Sequence, residues 1–208
     1  MFEKIKFIFD LDGTITKVET LPLLAKELNL FDEIKILTDL TLCGQISFEQ
    51  SFKLRYFILR NIPPKKIWEI MATVELDEEI KNFIRENRKF CAIVTGNLDF
   101  WIKPITKKLG CEIFSSQSFL DENKIPTLKK ILNKAEAMKE IKKTAAKIIS
   151  VGDSFNDIQM FKESDISVAY GGVHKLPKEV INSADYFFDD GKTLCDFFNS
   201  FSYHSDKL

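Results

Sequence analysis

The chain has 208 residues, enough for one ample core or for a core with a smaller insertion, and too few for two full independent domains. Apolar residues make up 45% and charged residues 29%, which excludes a disordered chain. With 30 basic and 31 acidic side chains the formal net charge is -1. No overall positive field recruits nucleic acid or an anionic membrane surface, and a small solute is the expected partner.

At the amino terminus Glu3 and Lys4 interrupt the apolar residues, and no hydrophobic segment with a small-residue cleavage site follows. No later window approaches an uncharged membrane-spanning length, so the expected compartment is the cytoplasm. The run "IKFIFD" from Ile5 is the first β-like segment, rich in β-branched and aromatic residues. About eighty residues without a strand signal then separate it from the second, far more than a crossover helix needs.

That stretch reads as helices: "ETLPLLAKELNL", "DEIKILTDLTLCG", "SFEQSFKLRYFILRN" and "PPKKIWEIMATV". Ser47 followed by Gln50 has the spacing of a capping box, Pro63 and Pro64 mark a helix start, and Asp77 is placed to cap the returning helix "EEIKNFIREN". A helical cap inserted over a sheet accounts for the length, with a core of residues 1–16 and 75–208 and a cap of residues 17–74.

Further along, "FCAIVT" at Phe90, "KIISVG" at Lys147 and "DISVAY" at Asp165 repeat the β pattern, with helical patterns between them, and "ADYFF" from Ala184 adds an edge strand. Such runs are strands buried on both faces of a parallel sheet, so the fold class is α/β. The lysine-rich stretch from Lys124 to Lys147 reads as a helix with a wet face, its apolar side formed by Ile131, Leu132, Ala135, Met138 and Ile141. Cys43, Cys91, Cys111 and Cys195 show no C-x-x-C or metal-finger spacing and read as small buried hydrophobes. His174 and His204 stand apart from any nucleophile and read as surface or loop residues, "YGGVHKLPKE" from Tyr170 to Glu179 reads as a core loop near the site with its glycines serving a turn, and Trp68 and Trp101 read as packing residues.

In an open parallel sheet, ligands bind beyond the carboxyl ends of the strands. The first strand ends in Asp10-Leu11-Asp12-Gly13-Thr14, the second in Thr95-Gly96-Asn97, and the third in Gly152-Asp153-Ser154-Phe155-Asn156-Asp157. Each cluster alone fits a turn or a helix cap; three of them at three strand ends make a site. Aspartates crowded together need a cation or a shared proton. All-oxygen ligands favour Mg²⁺ over zinc or copper. A carboxylate beside Mg²⁺ is suited to attack phosphorus and form an aspartyl phosphate.

Asp10-x-Asp12-Gly13-Thr14, Thr95-Gly96, a lysine on the helix before "KIISVG", and Gly152-Asp153-x-x-Asn156-Asp157 together resemble, in order, the four motifs of the haloacid dehalogenase-like phosphohydrolases. The resemblance implies a Rossmann-like core and Mg²⁺ as cofactor. It makes Asp10 the nucleophile and Asp12 the general acid and base. Metal ligands would be Asp10, Asp12 through its main-chain carbonyl, and Asp153, with Asp157 supporting the metal shell. Thr95, Gly96, Lys134 and Asn156 would hold phosphoryl oxygens. For the lysine, Lys129, Lys130 and Lys139 compete; "NKAEAMKEI" resembles the lysine-glycine-glutamate stretch of the relatives with Ala135 in place of glycine, which ranks Lys134 first.

Within the superfamily the chain resembles the phosphoserine phosphatase-like branch. Glu19, nine positions after Asp10, matches a glutamate that binds the substrate amino group. In "GQISFEQSFKLR", Phe48 matches an aromatic that closes over substrate and Arg55 an arginine that holds its carboxylate. The implied activity is hydrolysis of phosphoserine or a similar small phosphorylated amino acid. Alternatives are a phosphatase of another small metabolite such as a sugar or alcohol phosphate, a phosphotransferase, and a non-catalytic phospho-ligand binding module. The chain departs from the branch at Asn97, where a glycine is usual and the side chain reaches the substrate region, at Gly13 in place of serine, at Phe155, and at Leu42 in place of methionine.

Overall fold

Alternating aromatic and β-branched side chains make Ile5–Phe9 a strand, β1, around which the sheet is assembled. The structure is a computed structural model and describes residues 5–201. After β1 come helices α1 (Thr20–Ala25), α2 (Phe31–Leu42), α3 (Phe48–Leu59) and α4 (Pro64–Ala72), then α5 (Glu78–Glu86) leading into β2 (Cys91–Leu98). Helix α6 (Asp99–Leu109) precedes β3 (Glu112–Leu120) and β4 (Pro126–Lys130), and α7 (Lys134–Lys142) precedes β5 (Lys147–Gly152). The chain continues through α8 (Ile158–Lys162), β6 (Ile166–Tyr170), α9 (Lys178–Asn182), β7 (Tyr186–Phe188) and α10 (Gly191–Ser200).

The strand order is β4-β3-β2-β1-β5-β6-β7, parallel throughout except for the antiparallel β3–β4 pair. Helices cover both faces, so β1 buries alternate side chains in opposite directions. Phe7 and Phe9 meet Phe83 of α5 and Phe198 of α10, with ring centroids 5.0–6.4 Å apart. Ile8 faces Met138 and Ile141 of α7 on the other side. The chain winds outward from β1 through β2 and β3, then crosses back to β5 on the far side of β1. This reversal opens a crevice at the carboxyl ends of β1, β2 and β5.

Helices α1 to α4 leave and rejoin the sheet through a narrow stalk: Thr16 bridges Leu76, Lys17 N donates to Glu75 O at 3.0 Å, and Asp77 N donates to Ile15 O at 2.8 Å. The expected caps are present, Ser47 Oγ accepting from Gln50 N at 3.3 Å and Asp77 Oδ1 from Ile80 N at 3.0 Å. On the inner face of α3, Phe52 and Tyr56 pack against the buried Trp101. The Tyr56 hydroxyl donates to Pro126 O and accepts from Leu128 N, which ties this helix to β4.

The lysine-rich stretch differs from the expected single helix. It divides into strand β4 and helix α7, which starts only at Lys134, after Asn133 accepts from Glu136 N at 3.2 Å. Ile131 and Leu132 fall before the helix, and its buried face is Lys134, Ala137, Met138 and Ile141. Among the cysteines, Cys91 and Cys195 are buried, Cys111 is half-buried and Cys43 is exposed, and all four are free. Trp68 lies at the surface, stacked on Phe100. His204 is outside the described residues. No described helix is long and apolar enough to cross a membrane.

Candidate active site

β1 ends at Phe9, and Asp10 is still held in line by its N–H donating to Val151 O of β5 at 2.9 Å. The chain then turns sharply: Gly13 has φ +76°, in the left-handed region that favours glycine. Thr14 Oγ1 donates to Asp153 Oδ1 at 3.0 Å, joining the ends of β1 and β5. Beyond β5, Asp157 Oδ2 accepts from Asp153 N, Ser154 N and Ser154 Oγ at 3.1, 2.9 and 2.8 Å, so its carboxylate shapes the loop itself. A side chain at Gly152 would overlap that carboxylate.

Lys134, at the first turn of α7 and 3% exposed, donates through Nζ to both Asp10 Oδ1 and Asp157 Oδ1. Burial pulls its ammonium down, but the two carboxylates outweigh this and hold it above the ordinary lysine range. Burial pushes Asp10 up to about 7, against the pull of Lys134 and with repulsion from Asp157 and Asp12. Asp153, fully buried, is likewise raised by desolvation first and then by Asp157 and Asp10.

From β2, Thr95 Oγ1 accepts the N–H of Asn97 at 3.1 Å. The Asn97 side chain lies flat across the site: Nδ2 donates to Asp12 Oδ2 at 3.0 Å and to Thr20 Oγ1 at 2.8 Å, and Oδ1 accepts from Leu98 N at 2.8 Å. Thr20 in turn donates to Asp12 Oδ1 from its main-chain N–H at 3.1 Å and from its hydroxyl. Asp12 is therefore gripped from two sides.

The helical segment supplies the remaining wall. Phe48 stacks on Phe52 with centroids 5.4 Å apart and lies so close over Gly96 that a Cβ there would overlap its ring. Glu19 is at the N-cap position of α1 without capping it. Burial, with Asp12 and Asp10, pushes it up to about 8 despite Arg55. Arg55, 3% exposed, reaches only neutral acceptors, Ser51 O at 3.3 Å and Thr38 Oγ1 at 3.0 Å. Burial lowers it to about 10, and no described carboxylate lies within ion-pairing distance of it.

Asp10, Asp12, Glu19, Phe48, Arg55, Thr95, Gly96, Asn97, Lys134 and Asn156 line one cavity of about 50 Å³. Asp153 and Asp157 stand directly behind it. Every site residue expected from the sequence is thus brought together. Thr20 and Thr38 were not expected from the sequence; Thr14 and Ser154 figure there only as parts of motifs, although the Thr14 hydroxyl follows Asp12-Gly13 as a ready partner for a second carboxylate.

Asp10, Asp153 and Asp157 offer carboxylate oxygens within 4.8 Å of one another, and Asp153 Oδ2 is buried without a hydrogen bond. Five carboxylates face two cations, Lys134 and Arg55. An all-oxygen divalent cation fits that donor set.

A mostly parallel sheet with a buried aspartate–lysine pair and a metal-compatible acidic cluster at its switch point is an arrangement suited to hydrolases that work through side-chain carboxylates. The chain belongs to the haloacid dehalogenase-like hydrolases, whose family model matches residues 7–162. Within them it falls in the phosphoserine phosphatase-like branch. It is 30% identical over 176 residues to the phosphoserine phosphatase of Methanocaldococcus jannaschii, covering 78% of this chain and 83% of that one. It is 25% identical over 198 residues to that of Campylobacter jejuni subsp. doylei, covering 88% and 92%. A solved structure of a phospho-aspartyl intermediate analogue of phosphoserine phosphatase superposes with a TM-score of 0.81 at 25% identity, over 94% of this chain and 98% of the other.

Proposed function

We propose that the protein is a Mg²⁺-dependent phosphomonoester hydrolase that forms an aspartyl phosphate on Asp10, with phosphoserine or a closely similar phosphorylated amino acid as substrate. The observation that carries the substrate assignment is Arg55, a buried guanidinium with only neutral partners, facing the same cavity as Glu19 and Asp10. A guanidinium in a dry pocket calls for a carboxylate, and a carboxylate held up at about 8 calls for an ammonium. An amino acid carries both.

Asp10 attacks the phosphorus while the bond to the leaving oxygen breaks, and that oxygen takes the proton of Asp12. Water then attacks the aspartyl phosphate and gives its proton to Asp12, which releases inorganic phosphate and restores both carboxyl groups. Lys134, Thr95, Asn156 and the main chain at Gly96 hold the transferring oxygens. The metal would be held by Asp10, Asp153 and the main-chain carbonyl of Asp12, with Asp157 behind them. Bound there, Mg²⁺ supplies Lewis-acid polarisation and screens the repulsion between anionic nucleophile and phosphate. Residues 17–74 act as a cap on residues 1–16 and 75–208, with Phe48 excluding water, and the enzyme works in the cytoplasm on small phosphorylated metabolites.

The test is turnover with Mg²⁺ across phosphorylated amino acids, sugars and glycerols, with and without an acceptor alcohol. Phosphoserine is expected to be the best substrate, and Arg55→Ala to lose far more activity on it than on a carboxylate-free aryl phosphate. Fast sugar-phosphate hydrolysis with none on phosphoserine would overturn the substrate, transfer to the alcohol would make the protein a phosphotransferase, and binding without turnover would leave a phospho-ligand binding module.

A further inference from the structure

Three side-chain atoms that have no hydrogen-bond partner converge beside Gly13: Glu19 Oε1, Asp153 Oδ2 and His174 Nε2. They arrive from separate parts of the chain, the start of α1, the end of β5 and the loop after β6. Their ligand atoms lie within 4.8 Å of one another. Asp153 is completely buried, so its unpartnered oxygen has no bulk water to satisfy it. The space between the two carboxylates exists because residue 13 lacks a side chain: a Cβ on Gly13 would come 2.9 Å from Glu19 Oε1 and overlap Asp153 Oδ2.

His174 Nε2 is 3.2 Å from Asp153 Oδ2, near enough for an ion pair when the imidazole is protonated, but the two make no hydrogen bond. Two ligands on a tetrahedral ion with bonds of about 2.0–2.1 Å are separated by about 3.3 Å. The pair therefore already stands at the spacing of two ligands on one small cation, with Glu19 on its third side. One imidazole and two carboxylates form a donor set that suits borderline transition cations better than Mg²⁺, which takes oxygen ligands in an octahedron.

We propose that Glu19, Asp153 and His174 form a binding site for a borderline divalent cation, Zn²⁺ being the probe of choice, which differs from the all-oxygen site at Asp10 in drawing on Glu19 and the His174 imidazole. The two sites share Asp153, so a cation held by His174 competes with Mg²⁺ for that carboxylate. It also occupies Glu19, which the proposed function gives to the substrate ammonium, and so such a cation inhibits the enzyme.

Metal-free protein titrated with Zn²⁺ against a chromophoric chelator tests the site without any turnover, so the outcome is independent of whether phosphoserine is the substrate. The wild type should bind one Zn²⁺ with imidazole scattering in its X-ray absorption spectrum. The chain has two histidines, and His174→Gln should remove that scattering and weaken Zn²⁺ binding at least tenfold, with Glu19→Gln weakening it similarly. Circular dichroism on each variant separates lost ligation from lost folding, and the wild-type spectrum stands whichever variant folds. Zn²⁺ bound by oxygen alone in the wild type, no Zn²⁺ bound, or imidazole scattering that survives in a folded His174→Gln protein would each overturn the site.

Discussion

At Asn97 a side chain stands where the branch usually has none, and it does something specific. Its amide is committed to Asp12 and Thr20, while Thr20 closes on the other Asp12 oxygen. In the acid role proposed for Asp12, the carboxyl works only when it points at the leaving oxygen, and this bracket fixes where it points. Asn97→Gly removes a hydrogen bond to a charged group, an interaction of about 1.5–3 kcal/mol, without adding bulk. We expect kcat/KM on phosphoserine to fall on the order of tenfold to a hundredfold. A p-nitrophenyl leaving group departs without a proton, so kcat/KM on that ester should change little. Equal losses on the two esters would mean that Asn97 supports the loop and not the acid.

Between elements, the decisive contact is α3 against the end of β2, where the Phe48 ring occupies the space a Cβ on Gly96 would need. Gly96→Ala must push Phe48 and the start of α3 outward, lowering kcat/KM on phosphoserine; in a Phe48→Ala background the same change should cost markedly less. Additive losses in that double-mutant cycle would show that the two residues do not share the space. Much at this scale was legible in the chain. β1, β2, β5 and β6 announce themselves because both faces of each are largely buried and apolar residues dominate the runs, the small polar side chains of Thr95, Ser150 and Ser167 being buried within them. β3 and β4 do not, because "EIFSSQSFL" and "PTLKK" lie toward the open edge of the sheet, where serine, glutamine and lysine face water. The same exposure hid the true start of α7, and the Asn133 cap is what puts Lys134 on the buried face. Strand-end motifs revealed the aspartates because adjacency in sequence became adjacency in space. Thr20 adjoins Glu19, and His174 sits in the Tyr170–Glu179 loop expected near the site, so their segments were legible; which partners their side chains meet is decided only by the tertiary fold.

For the molecule as a whole, the excess of buried carboxylates links metal, pH and stability. Asp10 is raised to about 7 and Glu19 to about 8, whereas in an unfolded chain both titrate near 4. The folded protein without metal therefore retains protons that the unfolded chain has already released. The stability these groups contribute is complete below about pH 4 and is lost as pH rises through 7 and 8. A divalent cation binds the deprotonated carboxylates and replaces those protons, so its stabilising effect grows over the same interval. Thermal melts of the metal-free protein between pH 5.5 and 8.5 should show Tm falling, with a smaller fall when Mg²⁺ is present, so that the two curves separate as pH rises. Access to the site obeys a second whole-molecule constraint. The inner cavity of about 50 Å³ is far below the ~300–1,000 Å³ of sites that enclose small ligands. It shares Phe48, Lys134 and Asn156 with an outer groove of about 980 Å³ bordered by Lys53, Lys129, Lys130 and Lys162. In the arrangement seen here, desolvation raises Asp10 and Glu19; under the cap role proposed for residues 17–74, outward movement of these helices would admit substrate and return both groups toward water. Binding of Mg²⁺ with a phosphate mimic such as beryllium fluoride should then stabilise the protein more at pH 8.5 than at pH 5.5. A metal-free Tm that is level or rises across this range would contradict the charge balance on which both arguments stand.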